Sequence, residues 1–231
     1  ANRSGQIRFG LSVARSQIFL PKILPNYQAQ YPNVKVIFYE EPTAALAKRL
    51  TERGIDLYLG KDLDSSLVRR EVLSHEKLYV IATKQLIKRC FSDSVDEVIT
   101  RFRKGVFLKQ LESLPFITID PSGKLFRPVD AYCLKNGICL NSVSQVTNTP
   151  LLIELCRTGL GAGLCLETFL TQVLQHSAGS DEQMLSVFPI LDQISDWKII
   201  MADYESSHEP RYFSDFKNLV RKAVSSDTGL G

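Results

Sequence analysis

A chain of 231 residues with 44% hydrophobic content is long enough to bury a substantial core, as one large domain or two small ones. Its 28 Lys and Arg against 25 Asp and Glu leave a formal net charge of +3, which argues against nucleic-acid binding by the chain itself. No apolar run approaches the ~20 residues that span a bilayer, and the polar opening over residues 1–5 lacks the charged-then-apolar pattern of a signal peptide.

The first predicted element is a strand, because Ile7, Phe9, Leu11 and Val13 alternate. Leu20, Ile23, Leu24, Tyr27 and Tyr31 then recur at helical spacing, Pro32 stops that helix, and a second strand is predicted over 34–39. Ser12, Arg15 and Ser16 fall between the first strand and its helix. A hydroxyl there, beside the free N–H groups of a helix start, can hold a small anion. Ala44, Leu46, Ala47 and Leu50 form an apolar helical face closed by Gly54. Strands are predicted over 55–60, 67–73 and 78–82. Segment 84–110 carries Lys88-Arg89 and Arg101-Phe102-Arg103-Lys104 and reads as an exposed helix.

A second alternating block follows. It has a strand over 116–120, a turn at Pro121-Ser122-Gly123, a helix over 125–136 ended by Gly137, and a strand over 138–143. Thr147-Asn148-Thr149-Pro150 is the clearest helix start, with a side-chain oxygen to cap and Pro suited to the first helical position. That helix carries Leu151, Leu152, Leu155 and Cys156 and ends at Gly159. A tight loop at Gly161-Ala162-Gly163 leads into a buried strand. A helix over 167–176, a polar loop, strands over 185–190 and 197–204, and an amphipathic helix over 210–224 complete the chain.

Strands alternating with helices predict an α/β fold of two lobes, each a mostly parallel sheet flanked by helices. The expected boundaries are 5–78 with 199–231 for the first lobe and 79–198 for the second. Open parallel sheets bind ligands outside the carboxyl ends of their strands, so the expected site is a cleft between the lobes. Ser12, Ser122, Thr147 and Thr149 stand at strand ends or helix starts. Each is either a helix cap or part of a neutral donor cradle for an anion, with Arg15 as a charged partner.

The glycines at 159, 161 and 163 follow a helix and precede a strand, the reverse of a phosphate-binding turn. No nucleophile elbow or Cys–His couple is present, and Glu40 and Glu41 point to opposite faces of a strand. The three histidines lack ligand spacing. No enzyme, metal or cofactor is therefore expected. Cys90, Cys133, Cys139, Cys156 and Cys165 are odd in number and three sit in apolar stretches. That pattern fits free thiols in a reducing, cytoplasmic compartment.

The opening Gln6-Ile7-Arg8-Phe9-Gly10-Leu11, the spacing Leu20-Pro21, Tyr27 and Tyr31-Pro32-Asn33-Val34, the exit Gly54-Ile55-Asp56-Leu57 and the stretch 155–163 together resemble the effector-binding domain of LysR-type transcriptional regulators. The resemblance covers residues 6–224. It implies a periplasmic-binding-protein-like fold, a small and presumed anionic effector in the cleft, and a homodimer or homotetramer. It further implies a winged helix-turn-helix domain upstream, not in this sequence, through which alone DNA would be bound. The family's ligand contacts carry over to Ser12 and Ala14, to Thr118, Pro121 and Ser122, and to Thr147 with Asn148 beside it. Ala14 offers backbone only. In the peroxide-sensing branch a reactive thiol precedes a resolving one; here Cys133 matches the second and Lys124 replaces the first, so no thiol switch is expected. An extracytoplasmic solute-binding protein of the same fold is the alternative, disfavoured by the thiols and the missing signal peptide.

Overall fold

The structure is a computed structural model that describes residues 5–63, 66–119, 126–175, 183–194, 197–204 and 209–227. It forms two compact units, Ala1–Glu76 with Trp197–Gly231, and Lys77–Asp196. The first unit thus ends two residues before the position expected from sequence and resumes two residues earlier. Trp197 pairs with Glu76 in its sheet, which sets both limits.

The first unit runs β1 (Gly5–Leu11), α1 (Val13–Gln30), β2 (Val34–Glu40), α2 (Thr43–Thr51), β3 (Leu57–Lys61) and β4 (Arg69–Glu76). The second runs β5 (Leu78–Thr83), α3 (Lys84–Cys90), α4 (Val95–Arg103), β6 (Pro115–Ile119), α5 (Arg127–Asn136), β7 (Asn141–Val146), α6 (Thr149–Arg157), β8 (Ala162–Leu166), α7 (Leu170–Gln175) and β9 (Leu185–Pro189). The chain then returns as β10 (Trp197–Asp203) and α8 (Arg211–Asp227) to complete the first.

Each unit holds a five-stranded sheet, ordered β2-β1-β3-β10-β4 in the first and β7-β6-β8-β5-β9 in the second. Both are mostly parallel. In each, the strand on which the chain enters the unit from the other runs against its neighbours: β10 is antiparallel to β3 and β4, and β5 to β8 and β9.

In the first unit Leu46, Leu50, Ile55, Tyr58, Ile200 and Ala202 cluster under α2. On α8, Phe216 meets Phe9 edge-on at 5.3 Å and Tyr27 of α1 at 4.8 Å. In the second, Phe102 meets Phe91 at 5.4 Å and Phe188 at 5.6 Å.

Four expectations shift. The first helix begins at Val13, so Arg15 and Ser16 lie in its first turn rather than ahead of it. The segment 84–110 is not one exposed helix. It is α3, α4 and a short 3-10 turn at Leu108–Leu111, whose Leu86, Ile87, Val98 and Phe102 are buried. The helix expected over 167–176 opens as a 3-10 turn, Glu167–Phe169, and only then becomes α7.

The strand expected over 138–143 lies instead at Asn141–Val146. Ile138 is consumed in closing α5: Gly137 adopts a left-handed conformation (φ 62°) and the Ile138 N–H donates to the Cys133 carbonyl at 2.9 Å. The polar Asn-Ser-Val-Ser-Gln-Val then pairs with β6 as an edge strand, most of its side chains exposed. Apolar content therefore misplaces it.

Candidate functional site

Because β1, β2 and β3 are parallel, their carboxyl ends share one edge of the first sheet. Ser12 follows β1 directly. Its backbone is extended (φ −72°, ψ 154°) and its Oγ accepts from the Arg15 N–H at 3.4 Å, a long capping bond that leaves lone pairs to spare. Ala14, Arg15 and Ser16 are all buried.

Arg15 is not solvated. Its Nη2 donates to Glu76 at the end of β4, N···O 3.0 Å, with both side chains buried. Ser16 Oγ bonds to the Val13 carbonyl and to the Glu40 carboxylate at the end of β2. Its neighbour Glu41 turns away and receives Arg49, so the two carboxylates do act apart. Burial pushes the Tyr58 phenol up to about 12, opposed by the charge of Arg15 and a hydrogen bond with Thr43. Neither α1 nor α2 carries an acidic residue in its first turn, and the Glu40 carboxylate reaches the first turn of α1 through Ser16.

The second sheet repeats the arrangement. The carboxyl ends of the parallel β6 and β7 share an edge, and Thr147-Asn148 follows β7. Asn148 is the cap: its Oδ1 accepts from the Leu151 N–H at 2.9 Å, and its Nδ2 reaches Thr147 Oγ1 at 3.5 Å. Thr147 and Asn148 are exposed, Thr149 is buried, and α6 has no acidic residue in its first turn.

Thr118 points elsewhere. Its Oγ1 bonds to Ser142 Oγ at 2.9 Å and to the Ser144 carbonyl at 3.3 Å, both on β7. It lines a cavity of about 470 Å³ inside the second unit. Pro121 and Ser122 lie outside the described residues, as does Lys124.

Of the groups at these edges, Glu76 and Glu40 were not anticipated. Each is one charged residue at the end of a strand, and nothing local marks it as the partner of Arg15 or Ser16. Burial, aided by nearby Asp130, pushes the Cys133 thiol up to about 11, the reverse of a reactive cysteine. Among the described residues no three His, Cys, Asp or Glu side chains cluster as a metal site, and no helix is long and apolar enough to cross a membrane.

The family model described as LysR substrate binding domain matches residues 1–223. The uncharacterized HTH-type transcriptional regulator YwbI of Bacillus subtilis (strain 168) is 22% identical over 197 residues, which are 85% of this chain and 60% of that protein. The chain therefore spans about three fifths of that relative. Among solved structures, a full-length BenM mutant superposes with a TM-score of 0.73 at 22% identity, covering 98% of this chain and 70% of that one. The BenM effector-binding domain with its effector benzoate superposes with a TM-score of 0.72 at 21% identity, covering 98% of this chain and 96% of that one.

Proposed function

The chain belongs to the LysR substrate-binding domain family, and from that membership we propose that it is the sensing part of a transcription regulator that responds to a small organic anion. The supporting observation is Ser12. It stands at the carboxyl end of β1, before a helix start free of acidic residues, and its single capping bond is long. In the first unit the donors we assign to an anion are Ser12 Oγ and the N–H groups at Val13 and Ala14; in the second they are the Thr147 hydroxyl and the Asn148 amide. Donors of this kind at helix starts suit a carboxylate. Arg15 positions the turn through Glu76 rather than meeting the ligand. DNA binding belongs to a separate helix-turn-helix domain, and the free thiols suit a reducing cytoplasm.

We also propose self-association. In the first unit Tyr27, Tyr31 and Val224 are buried. Exposed large apolar side chains occur in both units, Leu67 at 69% in the first and, in the second, Leu134 at 86% and Val143 on the edge strand at 49%. Sedimentation equilibrium should show a dimer or larger, and Leu134→Lys should shift it toward monomer. A strict monomer for the unmodified chain refutes this.

The effector reading is tested by a thermal-shift screen of aromatic and aliphatic carboxylates, since binding to the native state raises the melting temperature. Calorimetric titration of the hit should then find Ser12→Ala and Thr147→Ala weaker by about 10- to 100-fold, because each removes a donor to a charged group. Unchanged affinity in both variants would mean that these hydroxyls serve only the helix starts.

A further inference from the structure

The cavity in the second unit is independent of the Ser12 turn and differs from it in chemistry. Its volume, about 470 Å³, lies in the range of small-molecule pockets. Phe116, Phe126, Val129, Leu152 and Leu164 supply an apolar wall contributed by β6, α5 and the residue before it, α6 and β8. Among the described residues no Lys or Arg lines it, and Asp130 and the neutral thiol of Cys133 do. A carboxylate entering it would lose water and meet no cation among the described residues.

Two of the hydroxyls at the polar end are linked to each other. Thr118 Oγ1 donates to the Ser144 carbonyl at 3.3 Å, so its only proton is used. The 2.9 Å contact between Thr118 Oγ1 and Ser142 Oγ is then donated by Ser142. Ser142 Oγ then keeps lone pairs to offer a donor on the ligand, beside the Gln145 amide and the Asp130 carboxyl that also line the cavity.

We propose that this cavity is a second binding site, for a neutral one-ring molecule that donates a hydroxyl to Ser142 and packs its ring against Phe116, Val129 and Leu164. Its ligand class is therefore a phenol or aryl alcohol, in contrast to the anion assigned to Ser12. Ser142 is exposed on an edge strand, so its replacement leaves the fold intact.

Methyl-resolved NMR of this chain at neutral pH tests the site, with 4-methylphenol as the probe. Saturable shifts are expected at Val129, Leu152 and Leu164, and not at Ala14 or Ile18 beside Ser12. Ser142→Ala should weaken 4-methylphenol by ~3- to 10-fold, the size of one neutral hydrogen bond, and leave toluene unchanged. 4-Methylbenzoate, of the same shape but charged, should bind at these methyls at least about 10-fold more weakly. Absence of shifts at the three cavity residues overturns the site, and 4-methylbenzoate binding there as well as the phenol overturns its ligand class. An unaltered phenol affinity in Ser142→Ala overturns the assigned contact.

Discussion

Arg15 and Glu76 form a buried ion pair, N···O 3.0 Å, with side-chain exposures of 7% and 2%. It ties the first turn of α1 to the last residue of β4 and so anchors the Ser12 turn to the far edge of the sheet. A buried charge whose partner is removed stays desolvated without compensation, so Glu76→Ala should cost about 3–5 kcal/mol of folding stability. The double change Arg15→Met with Glu76→Leu should recover most of that loss, since apolar replacements of similar volume bring no unpaired charge. Urea unfolding of the single and double variants checks this; a double variant as unstable as Glu76→Ala would refute it.

Asp203, at the end of β10, accepts from Arg69 at 2.7 Å and 2.9 Å and from Lys217 at 2.8 Å. Burial pushes its carboxyl up, but the hydrogen bonds from Arg69 and Lys217 outweigh burial and hold it below the usual carboxylate range. A carboxyl depressed in the folded state adds stability above its unfolded value, about 3.9, and loses it as the pH falls toward the folded value. Asp203→Asn should therefore cost about 3 kcal/mol at neutral pH, at the low end for a broken buried pair because Glu209 remains on Lys217. The gap to the unmodified chain should narrow below about pH 4. A gap independent of pH in urea titrations would refute the assignment.

Gly137 closes α5 at φ 62°, and a Cβ there would meet no atom within 4 Å. The constraint is backbone conformation alone. Gly137→Ala should lower stability by about 1 kcal/mol, and Gly137→Asn by less, because Asn enters the left-handed region more readily. Equal melting temperatures for all three would count against this helix ending.

The cysteines should separate in reactivity. Cys139 is exposed and Cys90 half-buried, while Cys133, Cys156 and Cys165 are buried. Burial pushes the Cys133 thiol up to about 11 and that of Cys156 up to about 12, so neither is a thiolate at neutral pH. Mass spectrometry after brief alkylation should find Cys139 modified first and Cys90 next, with the other three protected until the chain unfolds. Labelling of Cys133 at the rate of Cys139 would refute this.

Local order was legible in the residues. Ile7, Phe9 and Leu11 alternate because they share one buried face of the strand, and Thr147 to Pro150 announces a helix because capping and proline geometry are properties of a few adjacent residues. The turn at Ser12 was legible in the same way, since a strand that hands directly to a helix brings a hydroxyl and free N–H groups together by sequence alone. Tertiary structure decided what depends on distant partners. Asn141–Val146 is a strand only because β6 offers it hydrogen bonds, and its polar side chains on an exposed edge leave no hydrophobic period to read. Glu76 meets Arg15 across 61 residues, and Thr118 turns toward Ser142 rather than toward Thr147. Periodicity reports which face of an element is buried, whereas the identity of the group buried opposite is set only when the sheet and its helices close on one another.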